Sequence, residues 1–277
     1  MPTLLNALTI DFEDWAQSTI GTGMPITRRM VHSTRRLLDL LDGSSVRATF
    51  FVLGRAAERF ADLVREVQQR GHEIASHGYG HELVFDITPE RFREDIRRSA
   101  DQLEQITGRR PLGYRAPAFS ITGKSLWAAP ILAEEGFRYD SSVFPIAGPR
   151  YGIPDAPRFP YRWPDCDLME FPLSTARFAG RNWPICGGGY LRLLPVALVQ
   201  NAIRGINAHG RPAVVYIHPY ELDPRELPIL KAAGWPIDPR TYFMQTLFRD
   251  RVGPRLRRLL RRFHFAPAAD VLGVASP

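Results

Sequence analysis

The stretch "EIASHGYGHELVFD" (residues 73–86) begins as a short, largely apolar run and then presents two histidines, His77 and His81, four positions apart. Gly78 and Gly80 lie between the two histidines. A glycine in a helix interior costs about 1 kcal/mol of stability relative to alanine. The sequence therefore predicts that both histidines lie on a loop that follows a strand. A loop of this kind places polar side chains at the carboxyl end of the strand.

Other apolar runs end in polar residues in the same way. Strands are predicted over "ALTIDFED" (7–14), "VRATFFVLG" (46–54), "HEIASHG" (72–78), "LGYRAPAFS" (112–120), "YDSSVFP" (139–145), "LMEFPLST" (168–175) and "AVVYIHPY" (213–220). Helices are predicted over about 27–41, 55–71, 88–108, 122–135 and 195–208. This alternation is typical of an α/β fold with parallel strands and helices outside.

The polar residues favour a barrel over an open, doubly wound sheet. Asp11–Asp14, His77, Arg115, Asp140 and His218 each follow a strand-like run at its carboxyl end. In a (β/α) barrel that rim carries the chemistry. The Pro- and Gly-rich span 145–165 is predicted to form a long, ordered loop over the rim.

The 277-residue chain has a formal net charge of +7. The segment 249–265 holds seven arginines and one acid, which is most of that surplus. It is predicted to be either a solvated amphipathic helix whose Leu256, Leu259, Leu260 and Phe263 cover the body of the protein, or a basic surface for peripheral contact with a membrane or an acidic polymer. No other stretch interleaves aromatic and basic residues as a nucleic-acid groove would, so no nucleic-acid partner is expected.

The two cysteines, Cys166 and Cys186, exclude a disulfide framework or a zinc ribbon, although one bridge between them stays open. The first ten residues lack the pattern of a signal peptide, and no window approaches the roughly 18 apolar residues of a membrane span. We therefore predict a soluble, cytoplasmic protein. We also predict a single catalytic domain over 1–277, with a core at about 5–222 and an Arg-rich helical extension at about 223–277.

The histidine pair could bind a divalent cation. A catalytic zinc site uses three protein ligands and keeps a fourth position open for water. His77 and His81 offer two nitrogens, and an acid of "DFED" (11–14) would supply the third ligand. Zinc is the expected ion, although cobalt, nickel and iron accept similar ligands. The alternative is a pair of surface histidines or a core histidine bonded to backbone.

The choice of acid depends on where the first strand ends. Strict alternation puts Asp11 and Glu13 on one face and Asp14 on the other. If the strand ends at Phe12, Asp14 can turn inward as the metal ligand. Its shorter side chain suits a tight site, so Asp14 is the predicted ligand and Glu13 the close second choice.

His218 follows five apolar residues, and Pro219 ends the strand there. The ring is therefore predicted to lie at the rim, where a histidine could protonate a leaving amine. The alternative is a structural histidine at the end of a core strand.

The motifs "TIDFED", "SHGYGH", "YRAPAF", "YDSS" and "YIHPY" occur in this order between about residues 8 and 220. The set resembles the polysaccharide deacetylase family, carbohydrate esterase family four, and within it the subgroup associated with PEP-CTERM (exosortase) exopolysaccharide clusters. The resemblance implies a distorted (β/α) barrel with about seven strands. It also implies metal-dependent removal of N-acetyl groups from the amino sugars of a polysaccharide, expected to be an exopolysaccharide or its precursor.

The resemblance also implies a role for each matching residue: Asp11 as catalytic base, His77 and His81 as metal ligands, Arg115 as the arginine that tethers the base, His218 as catalytic acid, and Ala118 as the residue whose backbone N–H holds the oxyanion. Asp140 is the candidate for orienting His218, and Glu170 of "MEFPLS" competes for that role. Ala118, Phe119 and Glu13 are predicted to lie on the substrate side of the site.

The segment "CGGGYLRLLP" (186–195) has two open interpretations. It is either a glycine-lined sugar groove, with Tyr190 as a stacking surface for substrate and Arg192 facing an acidic polymer, or a plain turn into a helix. Two rival functions also stay open. One is a related amidase acting on a small amide or ureide, and the other is a non-catalytic carbohydrate-binding or assembly protein.

Overall fold

A computed structural model describes residues 4–148 and 151–274 of the chain. The strands are β1 (Leu5–Phe12), β2 (Thr49–Val52), β3 (Glu73–Ser76), β4 (Gly113–Tyr114), β5 (Tyr139–Asp140), β6 (Tyr161–Arg162), β7 (Met169–Glu170), β8 (Thr175–Phe178), β9 (Arg181–Pro184), β10 (Val214–Ile217) and β11 (His264–Ala266). The α-helices are α1 (Trp15–Thr19), α2 (Arg29–Asp42), α3 (Gly54–Arg59), α4 (Ala61–Gln69), α5 (Pro89–Thr107), α6 (Ala128–Glu134), α7 (Gly188–Leu193), α8 (Val196–Ala208), α9 (Glu226–Ala232), α10 (Pro239–Thr246), α11 (Val252–Leu260) and α12 (Ala268–Leu272).

The main sheet has the strand order β10-β1-β2-β3-β4-β5-β7-β6, and β11 adds to β1. The first seven of these strands run parallel, whereas β6 pairs antiparallel with β7. Hairpin β8–β9 forms a separate two-stranded sheet. The α/β fold with about seven barrel strands is thus confirmed, in the form of a half-barrel.

In the described residues the sheet does not close, because β7 and β10 form no backbone ladder. A side chain spans the gap instead, where the Ser174 hydroxyl accepts a hydrogen bond of 2.8 Å from the Val214 N–H. The inner face around it is filled by apolar side chains, including Phe144, Phe171 and Tyr216. The half-barrel therefore has a packed interior rather than a pore.

The strand register brings the carboxyl ends of the parallel strands to one rim. Phe12 pairs with Val52, Val52 with Ser76, and Ser76 with Tyr114. On the other side of β1, Ile10 pairs with Ile217. The residues that follow β1, β3, β4 and β10 therefore emerge close together, as the sequence predicts.

The C-terminal segment belongs to the same body as the strands. Leu256, Leu259 and Leu260 of α11 are buried in the main core, and Phe263 packs against that core. β11 pairs with the start of β1. This packing confirms an amphipathic helix that covers the protein. Contact of its arginines with a membrane stays a prediction. The division of the chain into domains also stays a prediction.

Four further observations concern single predictions. The helix expected over 55–71 breaks at Phe60, whose φ of −133° and ψ of 48° are not helical. The loop over 145–165 includes β6, while residues 149 and 150 lie outside the described part. Cys166 and Cys186 are free cysteines. Among the described helices, none is both long and apolar enough to cross a bilayer.

Candidate active site

Four elements bring chemically useful side chains to the rim. Glu13 follows β1, His77 follows β3, Arg115 follows β4 and His218 follows β10. All four side chains are at least four-fifths buried. The site is therefore a polar cluster at the end of the half-barrel, built from residues up to 205 positions apart in the chain.

A carboxylate and two imidazoles form a candidate metal centre. The Glu13 Oε2 atom lies 2.8 Å from His81 Nε2 and 3.4 Å from His77 Nε2. One ligand atom from each of the three residues falls within 4.8 Å of the others. A tetrahedral zinc ion with bonds of 2.0–2.2 Å would hold such atoms about 3.3 Å apart, so the spacing fits.

The hydrogen bonding around these atoms fits a metal as well. Glu13 Oε2 is buried and has no aligned hydrogen bond, although both imidazoles face it. The other ring nitrogen of His77, Nδ1, lies 2.8 Å from the carbonyl oxygen of Arg115. A metal-bound histidine usually donates its second ring N–H to such an acceptor. The donor set of two nitrogens and one carboxylate suits Zn²⁺.

The loop between the histidines turns back because of its backbone geometry. Gly78 has a φ of 70° and His81 a φ of 63°, in the left-handed region that glycine tolerates far better than other residues. The Asp95 carboxylate accepts hydrogen bonds of 2.8 and 3.0 Å from the N–H groups of Tyr79 and Gly80. These bonds hold the turn that aims both rings at Glu13.

The prediction of Asp14 as the metal ligand is wrong for this structure. The Asp14 carboxylate caps α1, accepting a bond of 3.0 Å from Ala16 N–H, and accepts bonds of 2.9 and 2.7 Å from the N–H and hydroxyl of Thr27. Glu13 takes the place assigned to Asp14: β1 ends at Phe12, the Glu13 N–H donates to the Asp11 carbonyl over 3.1 Å, and the Glu13 side chain lies beside both histidines. Glu13 therefore lies with the histidines rather than among purely substrate-facing residues.

Arg115 holds Asp11 at the centre of the site. Its Nη1 atom donates to Asp11 Oδ1 over 2.7 Å and to the Thr9 hydroxyl over 2.8 Å, and its Nε atom donates to the Ser141 carbonyl over 3.0 Å. The guanidinium lies over the Phe51 ring, 4.2 Å from the centroid. Arg115 is fully buried, so it fixes the carboxylate of Asp11 in one orientation.

His218 faces both acids of the opening motif. Its Nε2 atom lies 3.4 Å from Glu13 Oε1 and 3.8 Å from Asp11 Oδ2. Its ring stacks on Tyr220, with centroids 4.8 Å apart and an interplanar angle of 13°. Burial lowers the pKa of His218, but the hydrogen bond and charge of Glu221, followed by the charges of Glu13 and Asp11, raise it to about 9. An imidazolium at neutral pH is the state required of a general acid.

The residue that orients His218 is Glu221, which the sequence-based prediction missed. Glu221 Oε2 lies 3.2 Å from His218 Nδ1 and accepts a bond of 2.9 Å from the His218 N–H. The two residues form a capping box at the 3₁₀ turn Pro219–Leu222. Glu221 follows His218 by three positions, as in a capping box, but a histidine replaces the Ser or Thr that marks this motif in a sequence.

Neither Asp140 nor Glu170 orients His218 in this structure. Asp140 accepts from the Ser142 hydroxyl, while Glu170 Oε1 accepts a bond of 3.0 Å from the Val143 N–H. Burial raises the pKa of Glu170 well above its usual range, and the charge of Asp140 raises it further. The two carboxyls therefore form a buried pair, and burial raises the pKa of both.

The glycine-rich segment makes room for Glu221. A Cβ on Gly188 would lie 1.6 Å from Glu221 Oε2, and a Cβ on Gly187 would lie 2.4 Å from the Tyr216 hydroxyl. The glycines of "CGGG" thus let the backbone pass close to Glu221, the residue that supports the His218 ring. Arg192, expected to face an acidic polymer, is buried with only 6% of its surface exposed; that part of the interpretation is wrong.

The predicted substrate-side residues lie on one wall of the site. Ala118 and Phe119 have φ values of 50° and 54° in the 3₁₀ turn Pro117–Phe119. This turn follows directly on Arg115 and Ala116. The Phe119 ring contacts Tyr216 with centroids 4.9 Å apart. Tyr190 is half-buried and lines an adjoining groove. Roles of these residues toward substrate stay predictions.

Comparison with known families adds to this geometry. Residues 12–134 match the family described as "Polysaccharide deacetylase". This match shows that residues 12–134 are similar to polysaccharide deacetylases. Residues 141–273 match a "Domain of unknown function (DUF3473)". The polysaccharide deacetylase match contains Glu13, His77, His81 and Arg115, whereas His218 and Glu221 fall in the second match.

Two curated relatives resemble part of the chain. Peptidoglycan deacetylase-like protein FGM2 of Gibberella zeae is 34% identical over 110 residues, which are 39% of this chain and 32% of that protein. A peptidoglycan-N-acetylglucosamine deacetylase of Bacillus cereus is 33% identical over 96 residues, which are 34% of this chain and 35% of that protein. The chain thus spans about a third of the length of these relatives.

Solved structures share the fold over nearly the whole chain. A candidate polysaccharide deacetylase from Mycobacterium smegmatis has a TM-score of 0.62 and 22% identity, covering 99% of this chain and 91% of that chain. Puue allantoinase has a TM-score of 0.64 and 17% identity, covering 97% of this chain and 88% of that chain. At these identities the likeness establishes the half-barrel fold that polysaccharide deacetylases share.

Proposed function

We propose that this chain is a metal-dependent amide hydrolase that removes acetyl groups from N-acetylated amino-sugar units of a polysaccharide. The single observation that carries the proposal is the convergence at one rim of three groups. These are a Glu-His-His cluster, a carboxylate fixed by a buried arginine, and a histidine supported by its own carboxylate. The match to the polysaccharide deacetylase family supports the same reaction.

The three groups divide the work of amide hydrolysis. Glu13, His77 and His81 would hold the divalent ion, zinc by preference, which would activate a water and polarise the acetamide carbonyl. Asp11, held by Arg115, accepts the proton of the attacking water. Because the Asp11 side chain is buried and locked by hydrogen bonds, little rearrangement is needed at the moment of proton transfer.

The amine must leave as a protonated nitrogen, and His218 is placed to supply that proton. Glu221 holds the His218 ring from the Nδ1 side, so the proton on Nε2 points toward Asp11 and Glu13. The N–H of Ala118 lies at the turn beside Arg115 and is the proposed partner of the developing oxyanion. No other step is needed to release acetate and the free amine.

Finer assignments rest on the sequence motifs. The resemblance of the motif set to the PEP-CTERM-associated subgroup favours an exopolysaccharide or its precursor as the substrate. A cytoplasmic location is part of the same proposal. The substrate class would be tested by acetate release from polysaccharides of each class.

The test is acetate release from a chito-oligosaccharide and from an acetylated exopolysaccharide, before and after dialysis against a chelator. We expect His77→Ala to lose bound metal and acetate release together. His209→Ala is the matched control, because His209 is exposed and contacts only its own helix. Full activity in His77→Ala, or hydrolysis of allantoin and small amides in preference to acetylated sugars, would overturn the proposal.

A further inference from the structure

A large open groove adjoins the site between the loop over 151–159 and hairpin β8–β9. Its volume is 1510 Å³, larger than the roughly 300–1,000 Å³ of a small-molecule pocket. Aromatic contacts connect it to the active site. The Tyr151 ring on its wall lies 5.9 Å from Phe119, and Phe119 packs on Tyr216, whose ring is 6.0 Å from His218. The wall of the groove is therefore in packing contact with the aromatic ring next to His218.

Three arginines line the groove: Arg158, Arg177 and Arg181. In the part of the chain that the structure describes, none of them pairs with a carboxylate; Arg158 donates only to the hydroxyl and carbonyl of Thr175. Burial lowers the pKa of Arg158, and the nearby charge of Arg177 lowers it further. Asp155 is the one acid among the lining residues. The groove thus has an excess of two positive charges.

Apolar platforms accompany these cations. Trp183 of β9 lines the groove and keeps 53% of its surface exposed, so its ring is available to a ligand. Tyr151 and Tyr190 are half-buried on the same wall. Aromatic rings with one polar edge suit ligands that are apolar on one face and hydroxylated at the rim, as a pyranose ring is.

We infer that this groove binds an anionic glycan, so that the substrate is a polysaccharide carrying carboxylate groups beside its acetylated amino sugars. Guanidinium groups match carboxylates in shape and charge, and among the described residues 4–148 and 151–274 these arginines have no acidic partner. The inference deepens the proposed function and relies on it only for the statement about substrate. Arg192, which was expected to contact an acidic polymer, is buried. We assign this contact to Arg177 and Arg181 of hairpin β8–β9 instead.

The test uses Arg177→Gln/Arg181→Gln, because both side chains are exposed and take no part in the active-site cluster. Arg258→Gln/Arg262→Gln is the matched control, since it removes the same charge from exposed positions near the C-terminus. Binding is measured by calorimetry with hyaluronan oligosaccharides, which alternate N-acetylglucosamine with glucuronate, and with neutral chito-oligosaccharides of equal length. Poly(U) is the nucleic-acid probe.

We expect wild type and control to bind hyaluronan oligosaccharides more tightly than neutral ones, and Arg177→Gln/Arg181→Gln to lose roughly 3- to 30-fold of that affinity, as for two solvent-screened ion pairs. Trp183→Ala should weaken binding of both oligosaccharides. Equal affinity of the double variant and wild type for hyaluronan, or tighter binding of poly(U) at the same ionic strength, would overturn the inference.

Acetate assays on the same samples separate the two proposals. If wild type binds the anionic chain through the arginines but releases no acetate from any sugar, the proposed function fails and the groove assignment stands. If acetate is released equally from neutral and anionic chains by wild type and double variant, the groove assignment fails and the deacetylase activity stands.

Discussion

Exchanging one carboxylate for an amide at two adjacent positions should separate the metal ligand from the helix cap. Glu13→Gln and Asp14→Asn are isosteric and each removes one negative charge. Glu13 Oε2 lies 2.8 and 3.4 Å from the two histidine nitrogens, whereas Asp14 makes three hydrogen bonds to Ala16 and Thr27. The first change should therefore alter metal binding and the second should alter stability.

The magnitudes follow from these contacts. Loss of a partner that only supports a metal ligand costs about 10- to 100-fold in metal affinity, so loss of the Glu13 carboxylate itself should exceed about 100-fold. In Asp14→Asn the amide NH₂ faces either the Ala16 N–H or the N–H and hydroxyl of Thr27, so at least one of these donors loses its acceptor. That costs about 1–3 kcal/mol, or about 2–12 °C in Tm at roughly 2–4 °C per kcal/mol.

The assay is metal content by elemental analysis after dialysis, together with thermal unfolding with and without added zinc. Glu13→Gln should retain no stoichiometric metal and show no zinc-dependent rise in Tm. Asp14→Asn should bind metal and gain stability from it, starting from a lower metal-free Tm. The reverse pattern, with metal lost from Asp14→Asn and kept by Glu13→Gln, would refute the assignment of Glu13.

Two further predictions concern the support of His218 by Glu221 and Gly188, and a third concerns the pH dependence of stability. Glu221→Gln should keep its metal but lose roughly 10- to 100-fold in kcat, since a hydrogen bond to a charged group contributes about 1.5–3 kcal/mol; unchanged kcat would exclude a positioning role. Gly188→Ala should lower kcat similarly, because its Cβ would displace the Glu221 carboxylate, whereas Gly189→Ala, which meets nothing within 4 Å, should not; equal activities of the two variants would contradict this. Burial lowers the pKa of His72 to about 4, so the unfolded chain binds more protons between about pH 4 and 6.5 and stability falls as pH drops through that window, by about 2 kcal/mol from pH 7.5 to pH 5. Urea unfolding should show this loss in wild type and a smaller one in His72→Asn, whose amide oxygen can still accept from the Ala48 N–H; identical pH dependence in both proteins would exclude His72 as the cause.

The rim could be predicted because it depends on local patterns that repeat. Each buried strand is a short apolar run, and the residue after it emerges at the carboxyl end of a parallel sheet. His77, Arg115 and His218 all obey this rule, and the register of β1 with β2 and β10 aligns the ends. No knowledge of distant contacts is required for that step.

The acid next to the histidines shows where the reasoning failed. Alternation along β1 places Asp11 and Glu13 on one face, and in the structure both carboxylates face His218. The preference for Asp14 rested on side-chain length and an early end of the strand. Asp14 instead caps α1, which is the ordinary position of an Asp before a helix, so the local helix signal should have outweighed the size argument.

Glu221 and Gly188 could not be paired from the sequence. The capping box at His218 is local, but its role depends on the backbone of Gly188, 33 residues earlier, passing within contact distance of the carboxylate. Such a close approach is a property of tertiary packing. A glycine run by itself only indicates that some backbone position tolerates no side chain.

The site joins the two matched segments of the chain. The polysaccharide deacetylase match, 12–134, holds the candidate metal ligands and the arginine that fixes Asp11. The second match, 141–273, supplies His218, Glu221 and the arginine groove. Amide hydrolysis needs both activation of the nucleophile and protonation of the leaving nitrogen, so neither segment holds a complete set. On the proposed function, residues 141–273 would contribute both the acid and the arginine-lined groove that selects the substrate.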